Sequence, residues 1–470
     1  MTYTAPMQYY KPDGNLNVGD CMPFFHDGVF RLFYLIDEDH HRALGGLGGH
    51  QWAQSSTRDL VTWEHYPLAI PITEAHEGSI CTGSVLFHAG VYYAFYATRM
   101  RDWTQHLSLA TSMDGVHFTK QQPNPFASPP PGYDPVDYRD PCVFHSPADG
   151  RFHMLVTASL PAPPIPGRGG CLAHLVSDDL RRWEQLEPLV IPGLPGAPEC
   201  PDYFEWHGWY YLIFSHEGVA RYRMSRDPLG PWLRPPVDTL DGPAARVMKT
   251  AAFTDDRRIG VAWIGMREGN TDRGAFRFGG NAVFRELVQA ADGTLWAKHP
   301  AEMVPSGPEL PDPVIRSLGS GSGCEGRRVR LPARAGLAAA AIDGVPCDAG
   351  LTLRVVPEAG TAGFGVRLRA TESFDSGYEL HIAPHAGIVR LNEQVLYGVT
   401  GLDRPFDLEV MMKGDLIDVC IAGRRTVIDR CPERAGERVF LYAQDGEATF
   451  TVAQVVALMW GGKPSRPVLA

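Results

Sequence analysis

The chain has 470 residues and carries 43 Lys and Arg against 54 Asp and Glu, a formal charge of −11, so it lacks the basic surplus that draws a protein onto nucleic acid. Its 50 glycines and 40 prolines, with 44% hydrophobic residues, exclude a bundle of long helices and suit a turn-rich chain with more than one core.

Residues 1–15 show no basic stretch followed by an apolar one, and no later run reaches ~18 apolar residues, so neither export nor membrane insertion is expected. The nine cysteines (21, 81, 142, 171, 200, 324, 347, 420 and 431) are scattered and contain no CxxC spacing. That usage predicts reduced thiols in a cytoplasmic protein, with no metal and no cofactor.

A repeat organises the first three hundred residues. Gly28-Val-Phe-Arg-Leu-Phe-Tyr, Gly90-Val-Tyr-Tyr-Ala-Phe-Tyr, Gly150-Arg-Phe-His-Met-Leu-Val and Gly208-Trp-Tyr-Tyr-Leu-Ile-Phe each read as a turn glycine followed by a β-prone, aromatic-rich strand. Their glycines lie 62, 60 and 58 residues apart, and a weaker fifth copy runs from Arg257 to Trp263. A second marker follows each of the first four strands: Asp59 with Trp63, Asp114 with Phe118, Asp179 with Trp183, and Asp227 with Trp232. An Asp-type turn starting the outer strand of a small sheet, with an aromatic packed between neighbouring sheets, would produce this order. Radial repetition of five such sheets makes a five-bladed β-propeller, expected over residues 1–304.

Residues 305–325 begin Pro-rich and end in Gly319-Ser-Gly-Ser-Gly, a composition that predicts a linker. From 326 to 470, short alternating runs such as Gly363-Phe-Gly-Val-Arg-Leu-Arg and Tyr378-Glu-Leu-His-Ile predict a C-terminal antiparallel β-sandwich. The expected fold is therefore all-β. No chemistry is legible in the second unit, which is expected to brace the propeller or to offer homo-oligomer contacts.

The innermost strand of each blade lines the channel, so the residues just before each turn glycine should converge. Those positions hold Asp20, Thr82-Gly83-Ser84, Asp140 and Glu199, and this reading treats the three acids as occupants of one shared repeat position. Converging carboxylates raise one another's pKa, and a protonated acid beside an ionised one is what glycosidic cleavage needs. Arg139 is placed to hold Asp140 ionised and to donate to sugar hydroxyls. His40, His41 and His50 match no zinc spacing, although His50 or Gln51 is within reach of a substrate, and Trp52 offers either a face for a sugar ring or a plug between blades. A calcium site at the three acids and a non-catalytic sugar-binding propeller are the alternative readings.

The residues resemble glycoside hydrolase family 32, the β-fructosidase group of invertases, inulinases and levanases. Tyr138-Arg139-Asp140-Pro141 is similar to its Arg-Asp-Pro motif, Glu199-Cys200-Pro201-Asp202 to its Glu-Cys motif, and Thr82-Gly83-Ser84 to its Ser-Gly-Ser. Gln51-Trp52-Ala53-Gln54-Ser55 through Asp59-Leu60-Val61-Thr62-Trp63, and Arg285-Glu286-Leu287 with Asp292-Gly293, also resemble family segments. The resemblance implies a retaining glycosidase of small carbohydrates, with Asp20 as nucleophile, Asp140 as transition-state stabiliser and Glu199 as general acid/base. It implies substrate contacts from Arg139, Gln51, Trp52, Thr82, Gly83, Ser84 and Cys200. Two family strings are altered: Asn-Asp-Pro-Asn-Gly becomes Gly19-Asp20-Cys21-Met22-Pro23, and Tyr-Gln-x-Asn-Pro becomes Tyr34-Leu35-Ile36-Asp37-Glu38. The related five-bladed arabinosidases and xylosidases, which usually invert, are the next closest pattern.

Overall fold

The structure, a computed structural model, describes residues 3–4, 6–311, 313–318 and 322–458. Two-residue turns fold the aromatic runs back on the strands before them. Asp27-Gly28, Ala89-Gly90 and His207-Gly208 have both central residues at positive φ, the hairpin geometry in which glycine relieves the second position.

Four consecutive antiparallel strands form each blade except the fourth, which has three and a bridged edge. Blade 1 is Leu16–His26, Val29–Glu38, Gln51–Thr57 and Glu64–Ile70; blade 2 is Glu77–His88, Val91–Met100, Gln105–Ser112 and Thr119–Lys120. Blade 3 is Tyr138–His145, Phe152–Ser159, Gly170–Ser177 and Glu184–Val190. Blade 4 is Glu199–Trp206, Trp209–His216 and Val219–Ser225, its edge supplied by the bridges Arg221–Thr239 and Met224–Leu233. Blade 5 is Arg246–Ala252, Arg258–Arg267, Phe276–Gln289 and Leu295–Lys298. The five innermost strands pack each on the next, and the fifth returns to the first, so the ring closes into a five-bladed propeller.

The second sequence marker has a clear structural cause. Asp59 Oδ1 accepts from the backbone N–H of Val61 and Thr62, Asp114 Oδ1 from Val116 and His117, and Asp179 Oδ1 from Arg181 and Arg182. These Asx turns launch the outer strands. The aromatic that follows packs against the preceding blade: Trp63 on Phe284, Phe118 on Phe33 and Trp183 on Phe95.

The second unit is an antiparallel sandwich in which Arg328–Asp343 and Arg438–Ala457 run through both layers. The first half of Arg438–Ala457 pairs with Gly363–Ala370 and the second half with Ala349–Pro357, so one strand serves two sheets and a single apolar core lies between them. The expected linker contributes to this unit. Val314–Leu318 and Gly323–Glu325 both pair with Arg328–Asp343; Gly319, Ser320 and Gly321 of the Gly-Ser run lie outside the described residues. Among the described residues, helix is confined to six short 3-10 turns, and no helix is long and apolar enough to cross a membrane.

Buried ion pairs fix the sandwich to blades 4 and 5. Fully buried Arg285 donates to Asp241 Oδ2 at 2.6 Å and to both oxygens of Asp418 at 2.8 and 2.9 Å, and Tyr9 donates to Asp418 at 2.8 Å. Arg430 donates to the Gly265 carbonyl and to Asp415, and Arg267 to Asp429. Such an interface sets one relative orientation, because any slip leaves charges buried without partners.

Candidate active site

Every inner strand carries the same irregularity. The register with its neighbour slips between Val18 and Cys21, Ile80 and Gly83, Arg139 and Cys142, Glu199 and Asp202, and Arg246 and Lys249. A β-bulge here interrupts the alternation that would send successive side chains to opposite faces, and re-aims neighbouring residues toward the axis. Asp140, Cys200 and Val247, each at the second position of its bulge, hold φ of 56°, 53° and 54°, a costly left-handed conformation for side-chain-bearing residues.

Alignment of the five bulges corrects the sequence reading. The three acids do not share one repeat position: Glu199 is first in its bulge, beside Val18, Ile80, Arg139 and Arg246; Asp140 is second, with Gly19, Cys81, Cys200 and Val247; Asp20 is third, with Thr82, Pro141, Pro201 and Met248. The acids nonetheless meet. Asp20, Asp140 and Glu199 line one cavity of about 490 Å³ at the axis.

Asp20 is anchored at both oxygens. Thr82 Oγ1 donates to Oδ2 at 2.7 Å, and Trp263 Nε1 donates to Oδ1 at 2.9 Å. Asp140 Oδ2 accepts from the Cys200 N–H at 3.1 Å and from Thr157 Oγ1 at 3.2 Å. The Cys200 thiol lies between the two, 3.6 Å from Asp20 Oδ2 and 3.4 Å from Asp140 Oδ2. Arg139 spans the remaining acids: its guanidinium contacts Asp137, lies 3.6 Å from Asp140 and donates to Glu199 Oε1 at 3.1 Å.

Burial drives Glu199 and Asp140 above the ordinary carboxylate range; Arg139 opposes that rise for both, and the neighbouring acids reinforce it. Glu199 differs from its partners in access. Its side chain is 36% exposed, against 4% for Asp140, so it is the acid most open to solvent. Burial opposes the Arg139 charge, yet its three carboxylate neighbours raise its pKa further.

The strand 29–38 and the loop after it add Leu35, His41 and His50 to the lining. His50 Nε2 lies 3.0 Å from Asp37 Oδ1; burial works against its proton, but that carboxylate holds its pKa above the usual value. Arg99 donates to His41 Nε2 at 2.7 Å, and burial brings His41 down to about 4. Leu35 and Phe278 supply apolar surface beside Asp20.

Residues 12–287 match the family model described as glycosyl hydrolases family 32 N-terminal domain. The chain belongs to glycosyl hydrolase family 32. It is 28% identical over 231 residues to a sucrose-6-phosphate hydrolase of Escherichia coli, 46% of this chain and 45% of that one. A raffinose invertase of the same organism is 26% identical over 310 residues, 60% of this chain and 62% of that one. The chain thus spans about half the length of these relatives. Fructan 1-exohydrolase IIa from Cichorium intybus superposes with a TM-score of 0.69 at 16% identity, covering 95% of this chain and 96% of that one, a likeness of fold that takes in both propeller and sandwich.

The side chains expected to touch substrate divide into two groups. Arg139, Thr82 and Cys200 line the cavity. Trp52 does not: it is fully buried between blades 1 and 2 against Phe33 and Tyr96, its indole N–H donating to the Cys81 carbonyl at 2.8 Å. Gln51 caps the Ile72 N–H and lines a separate hollow. Gly83 lies where a Cβ would meet the Phe95 carbonyl at 1.8 Å, and Ser84 Oγ accepts from the Val143 N–H of blade 3. Both therefore serve blade packing.

Sequence reading missed Trp263, Asp137, Arg99, Trp103 and Phe278, all of which line the cavity. Trp263 was visible as the end of the fifth repeat copy, but only its pairing with Arg246 across two strands reveals that its indole reaches Asp20. The altered family strings also find their physical counterpart. A Cβ at Gly19 would lie 2.8 Å from Phe278 Cε1 and 3.3 Å from Leu35 Cβ, so the phenyl ring and Leu35 fill space that a polar side chain at 19 would require.

Proposed function

We propose that this chain hydrolyses β-fructofuranosidic bonds of small oligosaccharides with retention of anomeric configuration. Family membership supports the reading, as do the activities carried in the names of the sucrose-6-phosphate hydrolase and raffinose invertase it resembles. The observation that carries it is the pairing of a doubly anchored Asp20 with a half-exposed Glu199 in one cavity, Glu199 being held toward its acid form.

In this reading Glu199 gives its proton to the glycosidic oxygen as that bond breaks, while an Asp20 oxygen forms a bond to the anomeric carbon. Glu199, now a carboxylate, then takes a proton from water, whose oxygen displaces Asp20 from the sugar. Asp140 and Arg139 hold ring hydroxyls and stabilise the oxocarbenium-like charge. The nine free thiols suit a reducing compartment, and we place the protein in the cytoplasm with small sugars as its partners.

Incubation with sucrose, raffinose and aryl arabinofuranosides, with the first-formed anomer followed by NMR, tests the proposal. Fructose released first as the β-anomer is expected. Inverted product rejects the retaining step, and preference for arabinosides rejects the substrate class.

A further inference from the structure

A second cluster of chemistry-bearing side chains lies outside the cavity lining, where blade 5 meets the sandwich. His299 immediately follows the last propeller strand, Leu295–Lys298. Glu409 and Cys420 face each other as register partners on two adjacent sandwich strands, Phe406–Lys413 and Leu416–Ile421. Ligand-type atoms of His299, Glu409 and Cys420 all lie within 4.8 Å of one another.

We propose that His299, Glu409 and Cys420 form a zinc site that clamps the sandwich to the propeller. Three observations carry it. First, the imidazole is oriented for the task. His299 Nε2 lies 3.3 Å from Asp418 Oδ1, a carboxylate itself gripped by Arg285 and Tyr9, which leaves Nδ1 turned toward Glu409 at 3.5 Å. A carboxylate behind a metal-binding histidine is the usual supporting arrangement, fixing both ring angle and tautomer. Second, the side chain is only 2% exposed, and its ring nitrogens face carboxylates at 3.3 and 3.5 Å without good hydrogen-bond alignment, so the Nδ1 side is left with room for a better-matched partner. A polar ring so deeply buried is normally satisfied with good geometry.

Third, the donors suit the ion. A nitrogen, a carboxylate oxygen and a sulfur match zinc and not the all-oxygen preference of calcium or magnesium. A tetrahedral zinc with Zn–N and Zn–O near 2.0 Å sets its ligand atoms ~3.3 Å apart. The 3.5 Å between Nδ1 and Glu409 Oε2 is already close to that edge. The Glu409 side chain is 41% exposed, which gives the ion an entry path and leaves the fourth position to water.

The test uses untagged full-length protein, stripped with EDTA and returned to zinc or to cobalt(II). One equivalent of zinc by mass spectrometric metal analysis, a melting temperature several degrees above that of the stripped protein, and a cobalt-thiolate charge-transfer band are expected. Glu409→Gln, a conservative change at a partly exposed position, should keep the fold while weakening zinc at least ~10-fold. Cys420→Ser should abolish the charge-transfer band. No retained zinc, or zinc without a melting shift, overturns the proposal. So does equal zinc uptake by wild type and both variants, which would place the ion elsewhere, for example at Asp37, His41 and His50.

Discussion

Glu199→Gln isolates the proton from everything else in the cavity. The amide keeps the shape of the side chain, and its oxygen still accepts from Arg139, now 3.1 Å from Glu199 Oε1. What disappears is the transferable proton, whose contribution as general acid and base is ~10²- to 10⁴-fold, or ~2.7 to 5.4 kcal/mol of barrier. Sucrose, with a sugar alkoxide as leaving group, should lose that full factor in kcat/KM. An aryl fructoside with an acidic phenol needs little protonation, so its first step should be nearly spared and only the second slowed, giving a burst of phenol followed by slow turnover.

The pH profile supplies the sign. Because burial raises Glu199 above the ordinary carboxylate range, wild-type activity should persist above that range and fall as pH rises through the raised pKa, when the acid is lost. That alkaline limb should vanish in the variant. Stopped-flow release of phenol and initial rates on sucrose measure both effects. Equal losses on the two substrates, or an unchanged alkaline limb, would refute Glu199 as the acid.

Asp20→Asn should reduce turnover at least ~10³-fold while leaving the melting temperature within a few degrees, since its carboxylate faces a cavity; a large melting drop would make it structural. Trp52→Ala should cost ~3 to 5 kcal/mol of stability in urea denaturation and leave KM unchanged, because the ring fills a blade interface and no part of the cavity. Arg285→Met should cost ~3 to 5 kcal/mol, since it strands Asp241 and Asp418 without their shared cation; wild-type stability by the same assay would contradict the clamp.

The fold was legible because two local signals repeat. Positive-φ hairpin glycines and Asx turns are read directly from residue type, and their spacing near sixty residues gave the blade count. The acids were legible for the same reason. Their individual places were not, because a bulge adds a residue without any signature in composition. Trp52 shows a second limit: an indole suits a sugar platform and a blade plug equally, and only the packing of blade 1 on blade 2 brings its N–H to the Cys81 carbonyl. Glu409, Cys420 and His299 are more than a hundred residues apart at their extremes, so no spacing motif announces them.

The bulges explain how a repeat of near-identical sheets could host the asymmetric reaction proposed above. Two carboxylates with opposite tasks must differ in environment, yet strict repetition would give equivalent places the same one. By placing Glu199 first in its bulge, Asp140 second and Asp20 third, the propeller gives the acids different surroundings: one partly exposed beside Arg139, one under the Cys200 N–H, one pinned by Thr82 and Trp263. The left-handed backbone of Asp140 and Cys200 is strain that regular strands would avoid, and it lies where the acids converge. Arg285 and its buried partners hold blade 5 from outside, where the ring closes through packing of the strands 246–252 and 16–26, the ladder pair between Gly280 and Val18, and the backbone bonds of Tyr9 and Tyr10 to Ala282.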